Sequence, residues 1–209
     1  MAIIDTINKT IHFKIVYYGP GTAGKTSSIR YLHSQFEEAT KSTLNSLSTH
    51  EVRTLWFDCI MPGKTLLSGF SIHLHCMTKP GAMLRASARK ADLQDCDGVI
   101  FVADSQRIKL SENLRYLREM VEVLHGYNRS LQNLPLVFQY NKRDLPEKHL
   151  TPVALMDEYL NPVPWPRIPT VADHYAKFGG PWKTGDGVME AFSMLTTSMF
   201  GHIQNIHST

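Results

Sequence analysis

Apolar positions fall along the chain in two alternating rhythms, and their order predicts an α/β protein. Residues 11–18 (Ile-His-Phe-Lys-Ile-Val-Tyr-Tyr) are rich in β-branched and aromatic types and read as a strand. Residues 27–36 read as a helix, with Ile29, Tyr31, Leu32 and Phe36 as its apolar side. The polar, Ser/Thr-rich stretch 37–50 lacks a period and reads as a loop. Residues 52–58 and the alternating run 69–77 read as two strands. The turn signal Met61-Pro62-Gly63-Lys64 lies between them and predicts an antiparallel hairpin. Residues 82–93 read as a short basic helix, and the unbroken apolar run 98–103 as a strand buried on both faces. Leu110, Leu114, Leu117, Val121 and Leu124 form a helical stripe, too short for a coiled-coil seam and therefore assigned to packing on a sheet. A further strand is expected at 136–140 and an amphipathic helix with several core methionines at 188–203. Pro162, Pro164, Pro166 and Pro169 around Trp165 read as a stiff loop into a last strand rather than a polyproline ligand. The glycine-rich stretch 175–186 reads as an irregular loop. Strands alternating with helices predict a three-layer, doubly wound, mostly parallel sheet with one antiparallel edge strand. A chain of 209 residues without internal repeats suits a single domain, 1–209.

Between the first strand and the first helix stands Gly19-Pro20-Gly21-Thr22-Ala23-Gly24-Lys25-Thr26, which fits the phosphate-binding pattern of glycine, four residues, then Gly-Lys-Thr. Strand, glycine-rich loop and helix is the context that gives this pattern meaning. The backbone N–H groups of 19–27, Ser27 included, close around phosphate oxygens, and the helix N-terminus adds a favourable dipole. Lys25 is expected on the β- and γ-phosphates and Thr26 on Mg²⁺. A second motif, Asn141-Lys142-Arg143-Asp144, directly follows the strand-like run 136–140. A carboxylate at Asp144 accepts from the ring N–H and the exocyclic amine of guanine, a donor pair that adenine lacks. Asn141 and Lys142 are expected to brace the phosphate loop and cover the base. The four-residue pattern is weak alone; the upstream loop gives it weight.

Bulk properties narrow the picture little further. A net charge of +3 argues for neither nucleic acid nor an acidic membrane surface. Cys59, Cys76 and Cys96 have no metal-site spacing and read as reduced, buried thiols of a cytoplasmic protein. His73 and His75 share one strand face, but no third metal ligand is evident. Neither a secretory leader, a lipidation motif nor a bilayer-spanning run is present, so no direct membrane anchor is expected.

With Tyr17-Tyr18-Gly19-Pro20-Gly21, Arg53-Thr54-Leu55-Trp56-Phe57-Asp58, Phe101-Val102-Ala103-Asp104-Ser105 and Asn141-Lys142-Arg143-Asp144-Leu145-Pro146 together, the chain resembles the Ras-like small GTPases. Within them it is most similar to the bacterial MglA-like polarity GTPases, over roughly residues 9 to 203. The resemblance implies the small-GTPase fold and a cycle between GTP and GDP with Mg²⁺. It also implies protein effectors at the switch regions (polarity or response-regulator proteins), a roadblock-domain regulator and recruitment to a cell pole. It makes Thr54 the switch threonine that senses γ-phosphate and Mg²⁺, and Arg53 an arginine finger supplied by the same chain. Where ordinary small GTPases carry Asp-x-x-Gly-Gln, this chain reads Thr78-Lys79-Pro80-Gly81-Ala82. The family compensates for Thr78 with an aspartate at the end of the preceding strand, a role that falls to Asp58, through a water on Mg²⁺.

Ala82 is the departure with chemical consequence. The amide of the usual glutamine orients the attacking water, and phosphoryl transfer gains mostly from positioning and electrostatics. A methyl group can neither donate nor accept, so the expectation is GTP binding with slow hydrolysis. The loop that meets guanine O6 is altered too: Pro181-Trp182-Lys183 or Val171-Ala172-Asp173 stands in its place. His50, Glu51, Lys79 and Arg85 flank the two switches and read as solvated charge or as an altered partner surface. A pseudo-GTPase scaffold that recruits partners independently of nucleotide is the alternative reading.

Overall fold

The computed structural model describes residues 2–49, 52–61, 69–78, 93–163, 165–170 and 185–206. Among the described residues eight strands form one sheet: β1 (Ile3–Asp5), β2 (Thr10–Tyr18), β3 (Asn45–Thr49), β4 (Val52–Ile60), β5 (Ser71–Thr78), β6 (Gly98–Asp104), β7 (Leu136–Asn141) and β8 (Arg167–Pro169). Their order is β3-β4-β5-β2-β6-β7-β8, with β1 added to β2. From β5 through β8 every pairing is parallel, whereas β4 runs antiparallel to both β3 and β5. The short β1 is antiparallel to β2 as well. Helices α1 (Lys25–Gln35) and α4 (Val188–Ile206) pack on one face, and α2 (Leu110–Gly126) and α3 (Val153–Leu160) on the other.

The rhythm of each strand follows its place. β6 and β7 lie at the centre, covered on both faces, and are buried along their whole lengths. β2 divides its residues between layers: Ile11, Phe13, Ile15 and Tyr17 lie against α1 and α4, Val16 and Tyr18 against α2. The predicted hairpin is present, with Phe57 opposite Cys76 and Cys59 opposite Leu74. All three cysteines are free and buried.

Two expectations are corrected. Stretch 37–50 is not all loop: residues 38–40 make a short turn of 3₁₀ helix, and β3 pairs with β4 from Asn45↔Trp56 to Thr49↔Val52. The pattern hides β3 because it is an edge strand held by backbone hydrogen bonds. Its one large apolar side chain, Leu47, is exposed. The stripe on α2 is also displaced. Its buried face is Asn113, Tyr116, Met120, Val123 and Leu124, while Val121 is exposed and Leu110, Leu114 and Leu117 are only partly buried. A polar residue turned the helix: Asn113 bonds both backbone groups of Asp104, at 3.0 Å to its N–H and 2.8 Å to its carbonyl. The expected helix 82–93, except for its last residue Leu93, and loop 175–184 lie outside the described residues.

Candidate functional site

The site assembles at the carboxyl ends of the parallel strands, where ligands bind in open α/β sheets. β2 delivers the loop 19–24, β5 delivers Thr78, β6 delivers Asp104, β7 delivers Asn141 to Asp144, and β8 ends before Thr170. Thr78 is level with Tyr17 in the β2–β5 register and so stands beside the start of the loop.

Backbone conformation explains the glycines. Gly19 has φ 134°, and a Cβ there would run into the Val102 carbonyl oxygen, so no other residue lets the loop cross β6 this closely. Gly24, at φ 107° and ψ 8°, is the N-cap of α1. No side chain caps that helix and no acidic residue stands in its first turn. Its leading N–H groups and the positive end of its dipole are therefore left for an anion. Thr22 is also left-handed, at φ 62°, and is exposed at the loop tip. Thr26 and Ser27 are half-buried in the first turn of α1.

Lys25 is almost wholly buried. Its Nζ donates to the Gly19 carbonyl at 2.8 Å and to the Pro20 carbonyl at 2.5 Å, clasping the loop from inside. Burial lowers its pKa to about 7, although Glu112 partly opposes the shift. A buried lysine held, among the described residues, by two carbonyl oxygens beside an uncapped helix start is a cradle suited to phosphate.

β7 grips the loop from below. Asn141 Nδ2 donates to the Ala23 carbonyl at 2.7 Å, and Asn141 Oδ1 accepts from the Thr170 hydroxyl at 3.0 Å. Lys142, at φ 68°, places Nζ 2.6 Å from Oδ2 of the buried Asp104 carboxylate. Gln106 donates to the same carboxylate from its N–H and its side-chain amide. Asp144 is exposed at the mouth. The structure thus joins Asn141 to the loop Gly19 to Thr26, with Lys142 and Asp144 following directly in the chain.

Other expected residues lie on the neighbouring strands β4 and β5. Thr54 is half-buried on β4, opposite Leu47 of β3, and Arg53 is opposite Ser48. The Thr78 hydroxyl is buried and accepts from the Leu55 N–H at 2.9 Å, extending the β4–β5 ladder. Asp58 pairs with His75 three residues before Thr78, about 10 Å down the strand. Its Oδ1 lies 2.7 Å from His75 Nδ1. Its neighbours Phe57 and Cys59 point into the core under α1, so Asp58 faces the opposite side of the sheet. This arrangement does not bring Asp58 to the phosphate loop. His73 stacks on His12 with ring centroids 4.8 Å apart. Among the described residues no three His, Cys, Asp or Glu side chains gather as a metal site. Gly81, Ala82, Trp182, Lys183 and Val171 to Asp173 lie outside the described residues.

Kinship supports the same reading. Over 146 residues the chain is 40% identical to the mutual gliding-motility protein MglA of Myxococcus xanthus (strain DK1622), covering 70% of this chain and 75% of that protein. The chain belongs to the MglA family of Ras-like small GTPases. No protein-family profile matches it. In this MglA-family chain, Thr170, Ser28 and Gln139 hydrogen-bond to the site without having been singled out by motif, and Asp104 is quoted only within a stretch that carries the resemblance, without a role. The only signal for Gln139 was a polar residue inside the strand-like run 136–140.

Proposed function

We propose that this protein is a guanine-nucleotide switch of the MglA type, acting in cell polarity or motility, with GTP hydrolysis slowed by Ala82. The observation that carries the nucleotide reading is the clasp on the loop: Lys25 holds Gly19 and Pro20 from within, and Asn141 holds Ala23 from the strand that ends in Asp144. One strand end thereby fixes both a phosphate cradle and a guanine-reading carboxylate. Competition of GTP and of ATP for the purified protein tests it. GTP should displace a bound fluorescent guanine nucleotide and ATP should not; equal displacement would refute guanine selection by Asp144.

Mg²⁺ fits the residues present. Thr26 stands in the first turn beside the cradle, and this ion takes most of its ligands from phosphate and water. Bound there by Thr26 and Thr54, it would neutralise charge on the β- and γ-phosphates. Arg53 would add a cation from the same chain. Effectors at the switches, a response-regulator or polarity protein and a roadblock-domain regulator among them, and recruitment to a cell pole belong to the same proposal. The relative's part in gliding motility supports it. The pseudo-GTPase alternative is favoured by Gly81-Ala82 and by Trp182 in a position of the guanine O6 loop. Partner capture that is the same with GTP, with GDP and without nucleotide would select it.

Lys25 gives the binding a pH signature. In the free protein its pKa is lowered to about 7 by burial, and phosphates alongside would raise it again. The bound form then holds a proton that the free form loses above pH 7. Affinity is therefore expected to be greatest below pH 7 and to fall as pH rises past it. At pH 8 binding should take up nearly one proton, read by calorimetry in two buffers of different ionisation enthalpy. Heats that do not depend on the buffer would contradict this assignment.

A further inference from the structure

A buried polar pair lies under the phosphate loop and belongs to neither motif. Gln139 on β7 and Ser28 in α1 are both fully buried. Gln139 Nε2 donates to Ser28 Oγ at 2.8 Å, and the Ser28 hydroxyl donates to the Gly24 carbonyl at 3.1 Å. Gln139 Oε1 is buried without a hydrogen-bond partner among the described residues. Burying an amide with one half unsatisfied is costly, and an apolar residue would suit a central strand better. The bond from Gln139 occupies the Ser28 oxygen as acceptor and leaves its single hydrogen for Gly24.

Peptide planarity turns this into an effect at the phosphates. The carbonyl of Gly24 and the N–H of Lys25 belong to one rigid unit and point in opposite directions. The Gly24 carbonyl accepts from the Ser28 N–H at 2.9 Å, and the Ser28 hydroxyl adds a second bond; together they hold it down into the helix and aim the Lys25 N–H outward from the helix start. Asn141, two residues along β7 on the same face, does the same for the unit before it: holding the Ala23 carbonyl aims the Gly24 N–H. Two rungs from one strand thus set two successive peptide planes of the cradle.

We infer that Gln139 and Ser28 are a positioning pair that fixes the Gly24–Lys25 peptide for phosphate binding, coupling the guanine-reading strand to the phosphate loop. The inference rests on the nucleotide reading above. Loss of either member leaves the Gly24–Lys25 peptide held by the backbone bond from Ser28 alone, loosens the aim of the Lys25 N–H and weakens binding to a β-phosphate, while contacts to the base stay as they are.

The test compares GDP with GMP, which lacks the β-phosphate, by competition against a fluorescent guanine nucleotide. The proteins are the full chain, Gln139→Leu, Ser28→Ala and the double variant, each checked for folding by circular dichroism. Each single change should lower the GDP-to-GMP affinity ratio about threefold, the lower end of what one hydrogen bond contributes, because the backbone bond from Ser28 remains. The double variant should lower it no further, because the pair acts as one unit. Ser28→Ala removes only an oxygen, so it reports even if Gln139→Leu disturbs folding. A ratio unchanged in Ser28→Ala, or GDP and GMP weakened equally, would overturn the positioning role and leave the nucleotide reading standing. Failure of the unmodified chain to bind either nucleotide would overturn both.

Discussion

Replacing Ala82 by glutamine is expected to speed GTP hydrolysis roughly 10- to 100-fold, measured as phosphate release in single turnover. The lever is the position of the nucleophile. Binding residues hold the phosphates whether or not a water is aligned, so the parent should bind GTP tightly and turn over slowly. A glutamine amide restores both a donor and an acceptor for that water. Arg53 acts on the other half of the problem, charge on the transferring group, and an arginine finger is worth about 10³–10⁵ in rate where it reaches the phosphates. A cation cannot align a nucleophile, so the two effects do not substitute for one another. No gain in Ala82→Gln would show that the placement of Arg53 or of the switches also limits the rate.

Lys25→Ala is expected to weaken GTP binding by about 100-fold, the loss of a charged hydrogen bond in a buried site. Two losses add. The phosphates lose a cation, and the loop loses the clasp on Gly19 and Pro20 that gives it shape. Lys25→Met keeps the stem volume without the charge and separates the lost cation from a cavity in the nearly closed site. It should lose nearly as much. Affinity unchanged in both variants would remove the phosphate loop from the account.

Much of this was legible in sequence because local chemistry and position agree there. A strand of β-branched and aromatic residues, glycines that must adopt left-handed backbone, and Lys-Thr opening a helix can hardly mean anything else when they stand in that order. Pairing across the sheet was less legible. β3 carries no apolar rhythm because its stability comes from the backbone of β4, which side-chain pattern does not record. The face of α2 was misjudged by about one position because Asn113, a polar residue, is buried for its bonds to Asp104. Gln139 is hidden likewise: it stands within a strand-like run, and its partner Ser28 is distant in sequence. Asp58 marks a further limit. The resemblance implies a metal role for it, and in the structure its carboxylate lies 2.7 Å from His75, a pairing that side-chain pattern does not record.

The most direct test of the central claim is the identity of the nucleotide that copurifies with the protein, released by denaturation and separated by chromatography. The account predicts guanine nucleotide, mostly as GTP, because binding is retained while the attacking water has no amide to orient it. GDP in its place would contradict slow hydrolysis, and adenine nucleotide or none would contradict the guanine switch itself.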